Sequence, residues 1–560
     1  MRSVLLQRLK GLWSRFHADQ SGIALIYVTV ALPVIIGFSL LAIDVGRLYT
    51  LQSTLQHGTD ALALAGAGEL DRRPDAITRA NNAINTLITT NSSLFATSVV
   101  TINGSNIATP CYLSALPTSD ATSVPSAGYL CLPVDTSAHI ASSSQIARYV
   151  QVSVKPANFN TIFPVNFVGV GTTTETATAV AGFDAAVCNF TPLFMCNPLE
   201  PANNSDMNND FGLSAMANSY ATRRRIIRFL AFSGGNNVTA VPGQFGFLDV
   251  SGGGANALGD EIASIAPNEC YILNTLKTKT GSMNTLIKAF NLRFDDYPPG
   301  NGSYSPSTTY PPGINVRKGY VTPTTGNANN RACNAAAGTT TTNANNSQVM
   351  ALPVDSCFAT NTCATVSGGS GKANIGNGDW GWNSDLSTTT TATAFRTASG
   401  KIGYWDLNFI GTTNNTAVLP TSPDGNPYTN ANPPSRYDLY RYEISSGIYN
   451  RYSVTGSTGS GGAAQETGLP KCAASQNTPV SGVDTTTGSV DRRIIYGAVM
   501  NCTANNLQPG SNGIYHALAF AKFFMVRPVD SNNTLWTELV SLVYPGDGTG
   551  VARDRVQLYR

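Results

Sequence analysis

The chain has 560 residues, a net charge of +2 and only 12% charged residues, about half the share usual in soluble domains. A balance this close to neutral, with no basic domain, gives no electrostatic footing for nucleic-acid binding. The length is enough for an anchored segment and two or three folded units with full cores. Asn, Thr, Ser and Gly take the place of charge, a composition common in exported proteins and uncommon in cytosolic enzymes.

Arg2, Arg8, Lys10 and Arg15 open the chain, opposed only by Asp19. The run from Gly22 to Ile43 carries no charge, includes Leu32 and Pro33, and ends at Asp44 and Arg47. It is long enough to cross a bilayer as a helix, which tolerates a mid-span proline as a kink. The basic flank predicts a cytoplasmic N-terminus with the C-terminal bulk outside. A cleaved signal peptide would have a shorter core and a small-residue site directly after it, whereas Ala63-x-Ala65 comes about twenty residues too late. Beyond the span, Leu48, Leu51, Leu55, Gly58, Leu62 and Ala65 recur at steps of three and four, one narrow helical stripe. It is expected to pack on the protein's own extracytoplasmic domain, because Gly58, Gly66 and Gly68 weaken a free-standing helix.

A second helix is expected over Pro74–Ile88, with Pro74 in its first turn. Strands follow from about Ser98 to Ala181, with clean alternation over Tyr149–Val154. In a further unit, Arg225–Phe232 and Gln244–Val250 read as strands, and Leu258–Ile265 and Met283–Phe290 as helices. Residues of about 298–400 read as a loop insertion, and Gly456–Gly462 as a flexible linker. Ile494–Asn501 and Phe523–Arg527 read as buried strands, and Leu535–Val543 as the closing one. The fold class is α+β: residues 1–70 hold the basic segment, anchor and helix, 71–184 a small α+β unit, and 185–560 a larger mixed, strand-rich domain.

The ten cysteines are Cys111, Cys131, Cys188, Cys196, Cys270, Cys333, Cys357, Cys363, Cys472 and Cys502. They are scattered, with no CxxC and only four histidines in the chain, so a zinc site is not expected. Outside the cytoplasm they read as disulfides. Sequence proximity alone offers Cys111/Cys131, Cys188/Cys196, Cys357/Cys363 and Cys472/Cys502, without fixing the connectivity.

The order Ser21-Gly22, Leu32-Pro33, Asp44-Val45-Gly46-Arg47 and Asp60 to Ala65 resembles the N-terminal domain of TadE/TadG-like Flp pilus-assembly proteins. The resemblance covers about fifty residues. Later stretches resemble TadG-related proteins more loosely, among them Pro242–Leu258, Ser435–Ile444 and Asp491–Cys502. The fifth residue after Gly22 is Tyr27, where processed relatives carry Glu, so the resemblance implies a permanently anchored factor. It implies the bacterial inner membrane as location, with a single pass and a periplasmic bulk. The implied partners are the lipid bilayer and other Tad/Flp pilus components or prepilins, with no nucleic acid, small-molecule substrate or cofactor.

Asp249-Val250-Ser251-Gly252-Gly253 follows an apolar strand and precedes a helix, as the Asp-x-Ser-x-Ser metal turn of von Willebrand A-type domains does. Asp249 and Ser251 are therefore candidate Mg²⁺ ligands. Gly253 offers no third hydroxyl, and a plain glycine turn is the competing reading. An adhesin with a degenerate metal site is thus one alternative. A secreted hydrolase is another, although no histidine lies near a Gly-x-Ser-x-Gly elbow and nothing selects a carboxylate pair. Trp380, Trp382, Tyr404, Trp405 and Phe409 form either a partner-binding zone or a small core. Arg223, Arg224, Arg225 and Arg228 read as solvated arginines at an element's edge. The expected role is structural, in assembly, not enzymatic.

Overall fold

The structure is a computed structural model. It describes residues 21–86, 90–94, 98–102, 107, 109–114, 116, 141, 144, 147–159, 162, 173–233, 238–273, 275–279, 286, 289–294, 309–316, 351–364, 374–383, 392–398, 400–410, 421–422, 425–448, 492–510, 513–530, 532–543 and 552–559. The chain divides into two compact units, Met1–Asp184 with Asp554–Arg560, and Ala185–Arg553. The fold is α+β.

The first unit is organised by helix α1, Ser21–Gly68. From Ile26 to Ile43 its side chains are mostly exposed, and the helix is long and apolar enough to cross a membrane. At Asp44 the pattern changes. Asp44, Arg47, Leu51, Leu55, Thr59, Leu62 and Gly66 are buried, and Leu70 just past the helix extends the stripe. These steps of three and four make one face of a helix. Helix α2, Ala76–Thr86, buries Ala76, Ala80 and Ile84. A Cβ on Gly66 would lie 2.6 Å from Ile84 Cδ1. The glycine that looks like a weakness in an isolated helix therefore permits close approach of α2. Arg79 of α2 ties the intervening turn together through Glu69, Asp71 and Asp75.

Strands β1 (Thr90–Leu94) and β2 (Ser98–Ile102) form an antiparallel pair. The main sheet of this unit contains β3 (Cys111–Leu113), β4 (Tyr149–Phe159) and β5 (Thr173–Cys188). The long β4–β5 ladder runs antiparallel from Tyr149↔Gly182 to Phe159↔Thr173. Val150, Val152 and Val154 are buried, and α1 packs against β4.

The second unit contains β6 (Leu193–Cys196), α3 (Leu213–Asn218), α4 (Tyr220–Arg223), β7 (Ile226–Ala231), β8 (Gln244–Leu248), α5 (Ala255–Ala263), β9 (Cys270–Ile272) and β10 (Thr278–Lys279). After these come α6 (Cys357–Thr360), the short pair β11 (Thr393–Ala394) and β12 (Ile402–Gly403), α7 (Arg436–Ser445), β13 (Ile494–Met500), β14 (Ala519–Met525) and β15 (Thr534–Val543). Strands β8, β6, β13, β14, β15 and β7 are neighbours in that order, and β7 pairs again with β8 in parallel, Leu230 opposite Gln244. The six strands thus close on themselves, which leaves no long free edge.

Alternation along the strands sorts their side chains. Met195, Ile227, Phe229, Phe245, Phe247, Ile495, Val499, Phe523, Leu535 and Leu539 meet in one cluster, which places that face of every strand inside the ring. The outward face divides in two. Ile226, Ile494, Phe524, Trp536 and Val540 pack under α6, α7 and irregular chain. Phe194, Cys196, Leu248, Ala498, Met500 and Phe520 form a separate layer.

Several expectations need correction. The described residues of 298–400 have little regular structure, yet Ile314, Val316, Leu352, Val354, Phe358, Trp380 and Phe395 are buried, so this segment is core cover and not only a loop. Strand β15 is not the last: β16 (Ala552–Leu558) follows and lies beside β5, so the chain's end belongs to the first unit and not to a 185–560 domain. Helix α2 starts at Ala76, after Pro74. Gly456–Gly462 lies outside the described residues.

Candidate functional site

The anchor residues are placed as one continuous helix. Leu32 and Ile43 are about half exposed, and Pro33 lies inside the helix. At the first charged turn, Arg47 pairs with Asp44 at 3.0 Å and both are buried. The backbone N–H of Ile162 donates to Asp44 Oδ1 at 3.0 Å. The polar residues that end the span therefore fasten the β4–β5 hairpin to α1.

At the Asp249 turn, β8 leads through a glycine run into α5, and Gly253 has φ 72°, a backbone conformation that suits glycine. Lys279 of β10 lies across the turn, its Nζ 3.5 Å from Asp249 Oδ1 and donating to the Gly253 carbonyl. Ser251 is turned to Glu269, donating from N at 2.8 Å and from Oγ at 3.0 Å. An ammonium thus stands beside the aspartate, where an A-type turn would hold a divalent ion. Among the described residues no group of three or more His, Cys, Asp or Glu is placed to hold a metal. Millimolar Mg²⁺ or Ca²⁺ is expected to leave the thermal midpoint unchanged; a rise of several degrees with either ion would favour the adhesin reading.

The disulfides correct two of the proximity pairings. Cys188 bonds Cys270, not Cys196, because β9 pairs with β5 and sets those residues opposite each other. Cys196 bonds Cys502, not Cys472, because β6 runs parallel to β13. Cys357 bonds Cys363 across α6. Cys111 is also disulfide-bonded. Cys131, Cys333 and Cys472 lie outside the described residues.

The aromatic zone is core. Trp380, Tyr404, Trp405 and Phe409 are buried, and Trp380 Nε1 donates to the Pro434 carbonyl at 3.0 Å. The arginine cluster is not simply solvated. Arg223 pairs with Asp438 at 2.8 Å, Arg224 donates to Asn432 Oδ1 at 2.7 Å, and Arg228 lies over Phe358 at 5.1 Å. His516 is partly buried, and its carbonyl accepts from Asn505.

Sequence reasoning missed the principal polar assembly of the second unit. Ser435 caps α7, accepting from Asp438 N, and the next residue is the fully buried Arg436. Its guanidinium meets Asp355 at 2.7 Å and Glu538 at 3.2 Å. It also donates to the carbonyls of Pro353 at 3.0 Å and Arg224 at 2.8 Å and to that of Asp379, and it lies 5.0 Å over the Trp380 ring. Glu538 on β15 in turn accepts from the N–H groups of Arg436 and Tyr437, both at 3.0 Å, placing a carboxylate at the helix N-terminus. Asp355 accepts from Ile226 N at 3.1 Å and Gly378 N at 2.8 Å. Burial pushes Glu538 up to about 7 and raises Asp355 as well, against the pull of Arg436. With its donors turned inward, this arginine is a junction between α7, β15 and irregular chain. The Ser-x-x-Asp pattern at Ser435 signals the cap, but nothing local signals Asp355 or Glu538.

Two neighbouring arginines do similar work. Arg492 donates to the Ala263 and Ser264 carbonyls at 2.7 and 2.8 Å, closing the C-terminus of α5. Arg493 donates to Asn315, Met525 and Val526 carbonyls and lies over Phe294, Tyr440 and Phe524 at 4.6–4.8 Å. The described polar chemistry of this unit is largely engaged in its own fold.

No curated protein and no solved structure matches the chain. A family model described as putative Flp pilus-assembly TadE/G-like matches residues 22–69, nearly the whole of α1. The N-terminal region is therefore similar to TadE/G-like Flp pilus-assembly proteins, and its apolar helix fits a membrane anchor.

Proposed function

We propose that the protein is a permanently anchored, non-enzymatic component of Flp/Tad pilus assembly or secretion. The N-terminus stays in the cytoplasm, α1 crosses the inner membrane once, and both compact units act in the periplasm on other pilus components or prepilins. The observation that carries this is the coincidence of the TadE/G-like match at residues 22–69 with a helix exposed before Asp44 and buried in its own unit after it. The basic flank before Gly22 supports the orientation, and the disulfides support an oxidising compartment.

Spheroplast proteolysis with intact-mass analysis of the membrane fraction tests the reading. Protease added outside the inner membrane should remove the mass beyond Asp44 and leave an unprocessed N-terminal fragment in the membrane. A freely soluble polypeptide, or protection of the C-terminal bulk, would overturn it. In a cell making the pilus, crosslinking from the periplasmic units should capture prepilins or assembly components, and failure to capture either would count against the assembly role.

A further inference from the structure

We propose that Cys188–Cys270 is a site of reversible thiol–disulfide exchange, open to attack by a dithiol while the second unit stays folded. The inference goes beyond the assembly role and does not depend on it.

The disulfides between described residues differ in access. Cys196 and Cys502 are both 0% exposed, and Cys357 and Cys363 are 7% and 6% exposed. Each of these two bonds sits within a hydrophobic cluster, the first with Phe194 and Met500, the second with Phe358 and Trp536. Cys188, by contrast, is partly exposed, and Cys270 is exposed. Strand alternation is the cause. In β9, Tyr271 turns inward, where it meets Phe190 edge-on at 5.7 Å and donates to the Asp249 carbonyl at 3.0 Å. Its neighbour Cys270 is therefore sent outward. In β5, Val187 is buried, and Cys188 stands directly opposite Cys270 on the outer face. Exchange requires access to a sulfur, and exposed bonds are the labile ones.

The surroundings hold β9 in place without the bond. Ala186 and Val187 pair with Ile272 and Tyr271. Phe190 N donates to the Glu269 carbonyl at 3.4 Å, and Ser251 donates to the Glu269 carboxylate from N at 2.8 Å and from Oγ at 3.0 Å. With the bond open, these contacts keep the two cysteines opposite each other, their Cα atoms 4.0 Å apart, so the thiols are placed to close again.

The exchange balances in two steps. A thiolate of the dithiol attacks Cys270 Sγ, the S–S bond breaks, and Cys188 leaves as a thiolate that takes a proton from water. The second thiol of the reagent, once deprotonated, attacks the mixed disulfide and releases Cys270, which is protonated in turn. The dithiol is oxidised to its disulfide, and its two electrons reduce the cystine to two thiols. Glu269 precedes Cys270 in the chain and disfavours an anionic reagent, so dithiothreitol, which is uncharged apart from the attacking thiolate, is the probe.

The oxidised full chain in detergent is treated with dithiothreitol, trapped at intervals with N-ethylmaleimide and mapped by mass spectrometry. Cys188 and Cys270 are expected to gain label together, about tenfold or more faster than Cys196, Cys502, Cys357 and Cys363. Tryptophan fluorescence, dominated by Trp380, Trp382, Trp405 and Trp536 of the second unit, should stay unchanged while they do. Removing dithiothreitol and adding diamide should abolish the labelling again. The Cys188→Ser, Cys270→Ser double variant should lose the fast phase alone, and the wild-type map decides the matter without it. Labelling of Cys188 and Cys270 no faster than that of Cys357 and Cys363 overturns the proposal. So does fast labelling accompanied by loss of the fluorescence signal, or failure of the thiols to close again.

Discussion

Replacing Arg436 by Met is expected to destabilise the second unit by about 3–5 kcal/mol, the cost of leaving buried carboxylates without their cation. The side chain and both acidic partners are essentially inaccessible. The variant keeps most of the apolar stem but loses the donors to Asp355, Glu538 and three carbonyls. Arg436→Lys should recover little, because one ammonium cannot reproduce a planar fork aimed at two carboxylates and the backbone. Denaturation of the full chain in detergent, followed by tryptophan fluorescence, reads the effect, since Trp380 stacks on Arg436 and Trp536 lies on β15. A loss under 1 kcal/mol would show that the junction is dispensable.

The same junction sets a pH dependence with a definite sign. The Glu538 carboxyl holds its proton up to about 7 when folded, against 4.5 for an unperturbed glutamate. Across that window the folded state binds more protons than the unfolded one. Stability from this group is therefore full below about 4.5 and is lost as the pH rises through about 7. Glu538→Gln should flatten this fall while costing about 1–3 kcal/mol, because its amide nitrogen cannot accept from both α7 N–H groups as the carboxylate does. In Arg436→Met the fall should become steeper, since both carboxyls lose the charge that favours their ionised form.

What was legible in the sequence followed from local periodicity. The uncharged run and the stripe beyond it were readable because a helix repeats every 3.6 residues: Leu51, Leu55 and Leu62 of the expected stripe are fully buried. The stripe drifts, so that Thr59 and Gly66 are buried where Gly58 and Ala65 were expected, because a straight helix does not keep a 3.5 repeat. Tyr149–Val154 alternates and falls in β4, and the largely apolar run Ile494–Asn501 coincides with the buried strand β13, which ends at Met500.

What was not legible depends on partners far along the chain. Asp355, Arg436 and Glu538 have no shared spacing, since the packing of α7 and irregular chain against β15 brings them together. Cys188–Cys270 and Cys196–Cys502 follow β5–β9 and β6–β13 pairing rather than proximity, whereas Cys357–Cys363 is the pair that proximity offered. The described residues of 351–398 looked like loop because they cover the outer face of the ring with irregular backbone. Their polar groups are met by side chains such as Asp355, Asp379 and Thr393 instead of a periodic ladder. At the Asp249 turn the spacing follows a metal-turn motif, and Lys279 arrives beside it from a strand that the motif does not include.

Removing the Cys196–Cys502 bond by paired Ala substitution is expected to cost about 5 kcal/mol and to lower the thermal midpoint by about 10 °C. The bond joins residues 306 apart and closes β6 against the end of β13, so it withdraws a large share of the unfolded chain's freedom. Cys357–Cys363 spans a separation of only 6, and its removal should cost about 2 kcal/mol on the same entropic argument. Differential scanning of the two double variants in detergent separates the mechanisms. Equal losses would mean that local packing, not loop closure, carries the stabilisation. The unequal outcome ties fold to compartment: the full chain purified under reducing conditions would lack every crosslink and should show a midpoint below that of the Cys196/Cys502 variant. Adding oxidant to the purified, folded chain should then restore the midpoint, because β6 and β13 already hold the two thiols at bonding distance.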